Sequence, residues 1–361
     1  MLGARTMKIA AGLAVSMVCS VAFAQTDEYD AAVRHGIELH DRGEFDAAIK
    51  VYEALLADKP GDPLVMYETA LTYQAKQDYA HCIEFAAQVA DRPSDSQAGG
   101  FTLLASCQDD AGHIEQAVAT FKQAVEKYPR DVMLNLNYGL TLVRLEQAAD
   151  ARRVLSVAID AAPGFASPYR AYALALDQQG YPGAAVLTRL RFIASEPESE
   201  RAIDAAKLII DAVAIASSAA KDNQIKLTMN ENDKTDAAAA MTSTEFAFGI
   251  AALSEGALSE ELAKKKQVES SASARFVSAL ALFVSMNAEM AEKRGKRELP
   301  WPAVLEPLDM LSKQEVLEPF LYHVAALGRS EGAVKWINEH SGSMDKLADA
   351  ISEYHARFKK R

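Results

Sequence analysis

Proline and glycine are sparse in this chain, 12 and 18 of 361 residues, and they stand as punctuation between runs of alanine, leucine and glutamate. That spacing argues for helices and against a sheet protein. Cysteine numbers only three, and none joins a histidine in a zinc-binding spacing. The seven histidines form no HExxH pattern, and His35 and His40 lie five residues apart, too far round a helix to share one metal. Also missing are a GxSxG elbow, a Walker phosphate loop and a GxGxxG strand-to-helix turn. Paired carboxylates such as Asp109 and Asp110 are adjacent and so point apart on a helix. The expectation is a protein that is not an enzyme and that carries no catalytic residues, no metal ligands and no cofactor.

Long apolar runs are confined to the beginning. Arg5 and Lys8 give a positive start, Ile9 to Val21 an apolar stretch, and Ala22-Phe23-Ala24 a small-x-small cleavage pattern before Gln25. Residues 1–24 therefore read as a secretory signal peptide, with Met1 or Met7 as the start, and the mature chain as periplasmic or secreted. The stretch is too short to span a bilayer comfortably. Cys19 is a weak lipid-attachment site, because Ser16-Met17-Val18 puts no small residue directly ahead of it. Cleavage would leave Cys82 and Cys107.

Positive charge is also short. The leader carries +2, residues 25–199 carry 15 basic against 26 acidic side chains (−11), and residues 200–361 carry 21 against 24 (−3). A phosphate backbone would be repelled, so nucleic acid is excluded as a partner. Basic clusters at Lys264 to Lys266, Lys293 to Arg297 and Arg357 to Arg361 are read as helix C-terminal cations that complement the macrodipole. Membrane contact is expected only through a partner.

What the sequence has in abundance is a repeat. Gly36, Ala70, Ala105, Gly139 and Ala173 recur at steps of 34, 35, 34 and 34, and Ala48, Cys82, Ala117, Ala151 and Ala185 follow with the same steps. Pro60, Pro93, Pro129, Pro163 and Pro197 form a third series. Two antiparallel helices per unit explain all three. Small side chains let the axes approach where they cross, Gly43, Gly112 and Gly180 end first helices in a left-handed residue, and each proline closes a second helix.

This pattern resembles the tetratricopeptide repeat family over residues 29–199. The first unit carries the resemblance best, with Gly36, Leu39, Gly43, Phe45, Ala48, Tyr52 and Pro60 at the family's signature positions. The fold expected is all-α: a solenoid of five helix-turn-helix units (29–62, 63–97, 98–131, 132–165, 166–199) within residues 25–199. A capping helix (200–221), a polar linker (222–236) and a helical C-terminal domain (237–361) follow. Departures predict looser spots. The second unit has Gln77 for glycine, Ala86 for a large core residue and Pro93 one place early, which should distort its closing turn. The fourth has Glu146, and the fifth Pro182 and Arg189. In the C-terminal domain, which resembles no recognised family, Thr242 with Glu245 and Ser312 with Glu315 read as capping boxes. A long helix is expected over 259–293, a break over 294–302, and short helices opened by Ser330 and Ser343.

The resemblance implies function too. Such arrays hold a peptide or partner helix on the inner face of their first helices. In this chain the corresponding residues are Val33, Ile37 and His40; Tyr67, Leu71 and Gln74; Thr102, Ser106 and Asp109; Leu136, Leu140 and Val143; and Arg170, Leu174 and Asp177. The carboxylate-clamping chemistry of one subclass needs basic side chains where Val33, Ile37 and Tyr67 stand, so it is absent. Apolar side chains dominate, which suits an amphipathic helix or an extended apolar segment of a protein partner. Two alternatives stay open: an architectural envelope subunit whose face is covered by its own chain or by an identical subunit, and an enzyme with its site in the C-terminal helices. Cys82 and Cys107 fall on neighbouring helices, where an oxidising compartment permits a disulfide. Cys82 equally serves as a small buried residue where alanine is usual.

Overall fold

The computed structural model describes residues 28–221, 244–245, 247–251, 272–294 and 301–359. The leader, the linker at 222–236 and Thr242 lie outside the described residues. Every regular element among those described is helical. In chain order they are α1 (28–41), α2 (Phe45–Asp58), α3 (Pro63–Ala75), α4 (Tyr79–Asp91), α5 (Gln97–Asp110) and α6 (Ile114–Lys127). Next come α7 (Val132–Arg144), α8 (Ala148–Ala161), α9 (Ser167–Gln178), α10 (Pro182–Ser195) and α11 (Glu200–Lys221). A short helical stretch α12 (244–245 and 247–251) precedes α13 (Ala272–Arg294), α14 (Trp301–Lys313), α15 (Leu317–Leu327), α16 (Glu331–Glu339) and α17 (Ser341–Lys359).

Five hairpins, α1–α2 through α9–α10, share one turn chemistry. After each first helix a left-handed residue donates its N–H three residues back, and the next residue donates five back. In the first hairpin Gly43 N bonds His40 O at 2.8 Å and Glu44 N bonds Leu39 O at 2.9 Å. This is the Schellman motif, and it satisfies carbonyls the helix end would otherwise leave unpaired. Gly43, Gly112 and Gly180 take φ of 75°, 79° and 76°, and Gln77 and Glu146 take 63° and 56°. The backbone geometry is thus kept at the two turns without glycine.

The small-residue series sit where first and second helices cross: Ala48, Ala70, Cys82, Ala105, Ala117, Ala151 and Ala185 are all wholly buried. Opposite Gly36 of α1 and Gly139 of α7 stands a large partner that fills the space. A Cβ added at Gly36 would lie 2.3 Å from Tyr52 Cε1, and one at Gly139 would lie 2.4 Å from Leu155 Cγ. Starts are capped at Asp62, whose carboxylate accepts from Leu64 and Val65, and at Asp131, which accepts from Leu134. After the early Pro93 the aspartate is missing. There α5 starts without a side-chain cap, and the buried Gln97 side chain ties α5 to its neighbours, donating to Ala90 O at 2.7 Å and accepting from Lys127 and Tyr128.

The chain divides into two compact units, one up to Pro129 and one from Arg130 onward. The last two hairpins therefore group with the C-terminal helices rather than with the first three. The reason is α10. Twelve of its fourteen residues are buried, because α14 and α17 pack on it in addition to α9 and α11. The fifth hairpin is accordingly not loose as its sequence suggested: Pro182 fits the first turn, where no N–H partner is needed, and Arg189 pairs with Asp177.

Other C-terminal expectations need correction. Helix α14 begins at Trp301, so Pro302 opens a helix rather than breaking one. Ser312 lies near the end of α14 and Glu315 is left-handed (φ 58°), so the pair closes one helix and caps none. Ser330 does open α16, but α17 begins at Ser341 and runs for 19 residues, long where a short helix was expected. Of the helix expected over 259–293, residues 272–293 lie within α13 and the earlier part lies outside the described residues.

Candidate partner-binding face

In the first unit α1, α3 and α5 run alongside one another, and polar contacts tie them at their ends. Tyr29 Oη donates to Asp62 Oδ2 (3.0 Å), His40 Nδ1 meets Thr72 Oγ1 (2.9 Å), and Gln74 Nε2 donates to Asp110 Oδ2 (2.9 Å). His40 and Gln74 thereby brace successive hairpins. Between these ties lie Ile37, Tyr67 and Leu71, each half-buried, packed by one edge on the core beneath. Tyr67 lies across Gly99, where an added Cβ would stand 3.1 Å from the ring. Val33, at 5% exposure, belongs to the core and presents nothing to a partner.

Electrostatics on this face is one-sided. The carboxyl of Glu68 is held above its usual range, first by burial and then by the charge of Asp41. Burial also pushes the Tyr52 phenol up to about 12, with Glu68 adding to the effect.

In the second unit the corresponding first helices are α7 and α9, joined by Gln178 Nε2 donating to Val143 O at 2.8 Å. Leu136 (5%) and Val143 (9%) are buried, while Leu140 is 39% exposed, Leu174 half-buried and Arg170 exposed. The sequence placed Leu136 and Val143 on the binding face. The structure puts them in the core, because they lie on the flank of α7 that meets its neighbouring helices. Asp177 is engaged by Arg189.

The C-terminal helices of this unit pack on α10 and α11. Arg191, wholly buried, threads between them: Nε donates to Ala303 O (3.0 Å), the guanidinium also bonds Pro163 O and Ser195 Oγ, and it lies over the Tyr169 and Tyr354 rings at 4.4 and 5.2 Å. His323 and His355 meet the carbonyls of Pro197 and Ala194, just past and near the end of α10. Glu245, from α12, accepts from Gly183 N and Ala184 N, each at 2.9 Å, at the start of α10. Sequence reasoning gave Glu245 a local capping role and missed Arg191 altogether; the only signal was two arginines inside an otherwise apolar helix. A surface hollow of about 530 Å³ between residues 196–199 and α17 contains Glu196 and His355. Glu196 is already paired with Arg201 and His355 with Ala194 O, so the hollow has no free acid–base pair made by these two.

The Sγ atoms of Cys82 and Cys107 are joined in a disulfide linking α4 to α5, with Cα atoms 6.1 Å apart. Among the described residues no group of His, Cys, Asp or Glu could hold a metal ion, and no helix is long and apolar enough to cross a membrane.

Residues 33–96 and 103–165 match the family model described as tetratricopeptide repeat. No curated protein matches the chain. Among solved structures, it is similar to a thermophilic repeat protein of this kind from Thermus thermophilus, at 22% identity over 52% of this chain and 99% of that one, with a TM-score of 0.42. It is similar to a repeat protein from Parabacteroides merdae at 13% identity over 82% and 98%, with a TM-score of 0.42. It is also similar to YrrB, described as having an unusual peptide-binding site, at 16% identity over 48% and 89%, with a TM-score of 0.37.

Proposed function

We propose that this chain, whose residues 33–165 form tetratricopeptide repeats, is an exported scaffold that holds a protein partner on the face of its first helices. Tetratricopeptide repeats act in general as protein-interaction modules rather than enzymes. The observation that carries the finer reading is the distribution of cover in the second unit. Its C-terminal helices occupy α10 and α11, and Leu140, Leu174 and Arg170 on the first helices keep partial or full exposure. The first unit keeps Ile37, Tyr67 and Leu71 half-buried in the same way. Side chains anchored by one edge and open on the other lose little entropy when a partner covers them, which favours their use as anchors.

Crosslinking in intact cells should capture a protein partner on the native chain, and aspartate at Leu71, Leu140 and Leu174 together should abolish that capture while circular dichroism stays helical. Retained capture would remove the first-helix face as the binding surface. Leu136 is left out of this variant because a charge at a buried site would unfold the hairpin.

Export rests on the leader and on the Cys82–Cys107 bridge, a bond that persists in oxidising compartments. Mass measurement of the protein from fractionated cells should find a mature chain beginning at Gln25 outside the cytoplasm. A chain retaining Met1 or Met7 in the cytoplasmic fraction would end this reading.

A further inference from the structure

The first unit is much the more acidic part of the repeat array. Residues 28–129 carry 18 acidic against 8 basic side chains, a net −10, whereas residues 130–199 carry 7 against 7. Its first helices concentrate the imbalance: α1, α3 and α5 bear Glu28, Asp30, Glu38, Asp41, Glu68, Asp109 and Asp110 against a single cation, Arg34. Most other cations of the unit are committed elsewhere. Arg42 pairs with Glu44, Lys76 with Asp46, Arg92 bonds Gly61 O, Lys127 bonds Gln97, and Lys59 lies over the Tyr29 ring. Lys50 and Lys122 stand on second helices.

Two of the seven carboxylates adjoin the apolar anchors. Asp41 lies one turn beyond Ile37 on α1, and Glu68 follows Tyr67 and precedes Leu71 on α3. The two acids are close enough for Asp41 to raise the Glu68 carboxyl, and the Glu68 carboxylate makes no hydrogen bond or ion pair among the described residues. A half-buried carboxylate beside a like charge is relieved only by a proton or a cation.

We propose that the first-helix face of this unit takes a basic–apolar segment of a partner protein, with an aliphatic or aromatic side chain against Ile37, Tyr67 and Leu71 and a lysine or arginine against Asp41 and Glu68; this rests on the reading of that face as a binding surface. Charge chooses the class of partner. An acidic segment would meet uncompensated carboxylates, and an uncharged one would leave Glu68 desolvated without a counter-ion. A basic residue supplies the counter-charge that Glu68 and Asp41 lack and gives the apolar contact a register.

The test uses random twelve-residue peptides displayed on phage and selected on the full chain, followed by affinity measurements on the enriched peptides. Enrichment should favour peptides combining lysine or arginine with Leu, Ile, Phe or Tyr. Asp41→Asn with Glu68→Gln should weaken them about tenfold, an effect that shrinks at high salt. Glu53→Gln with Glu115→Gln, removing the same charge from exposed positions on second helices, should change affinity by less than about twofold. Leu71→Asp should abolish binding. Enriched peptides that are acidic or neutral, yet still lost with Leu71→Asp, would overturn the charge assignment and leave the binding face intact. Enriched peptides indifferent to Leu71→Asp, or no enrichment at all, would overturn both.

Discussion

Gln77 and Glu146 hold the left-handed conformation that three other repeat turns give to glycine. A Cβ in that region crowds the following carbonyl, at a cost of roughly 1–2 kcal/mol, partly offset by the smaller entropy these residues lose on folding. Gln77→Gly and Glu146→Gly should therefore each stabilise the fold by about 0.5–1 kcal/mol, read as a rise in urea midpoint with unchanged slope. The reverse exchange isolates the same term. A Cβ at Gly43 or Gly112 meets no atom within 4 Å, so Gly43→Ala and Gly112→Ala should destabilise by about 1 kcal/mol through the backbone alone. No change in either pair would show that the turns relax out of the left-handed region. These turns were half legible in the sequence. Glycine announces the geometry; glutamine and glutamate at the same register do not, and only the repeat period points to them.

At the scale of helices, legibility follows how local the determinant is. The hairpins declared themselves because each needs a small residue at each crossing and a stop after each helix, all within one repeat. The ends of the C-terminal helices are set by packing, and the Ser312–Glu315 pattern misled because the same residues can close a helix as readily as open one. The face residues were legible as positions but not as exposures. Val33, Leu136 and Val143 share a register with Ile37 and Leu140, and which of them faces solvent depends on how far each neighbouring helix overlaps. Arg191 is the extreme case, since its acceptors come from Pro163, Ser195 and Ala303, as far as 112 residues away. Arg191→Ala should leave those acceptors unmet and open a void beneath Tyr169 and Tyr354, at a cost of about 4 kcal/mol. Hydrogen exchange should then accelerate in α14 and α17 while α1–α6 keep their protection; unchanged exchange in α14 and α17 would show that other contacts hold them. The disulfide works on another junction. It closes a loop across the link between α4 and α5, so reduction, or Cys82→Ser with Cys107→Ser, should lower stability of that unit by roughly 3 kcal/mol in urea unfolding.

On the scale of the whole second unit, Glu245 couples the C-terminal helices to the repeats by a contact spanning 62 residues, from Glu245 to Gly183. Its carboxylate caps α10 where no side chain of the N-cap residue Tyr181 does. Burial pushes its pKa up to about 7, against the opposing pull of the two backbone N–H groups and with a further push from Asp177. The unfolded chain binds this proton with a pKa near 4.5, so between about pH 4.5 and 7 the folded state holds more protons than the unfolded one. Stability contributed by this group is therefore greatest at or below pH 4.5, falls as pH rises through that window, and levels off above about 7, by roughly 3 kcal/mol in total. Glu245→Gln removes the titration, but its amide NH₂ confronts a backbone N–H and leaves one donor unmet, a fixed penalty of about 1–3 kcal/mol. The difference in unfolding free energy between the parent and Glu245→Gln, measured from pH 4.5 to 8, should thus change across the window and be constant above it. A difference that stays flat from pH 4.5 upward would mean that water reaches the carboxylate and that α12 is not seated on α10.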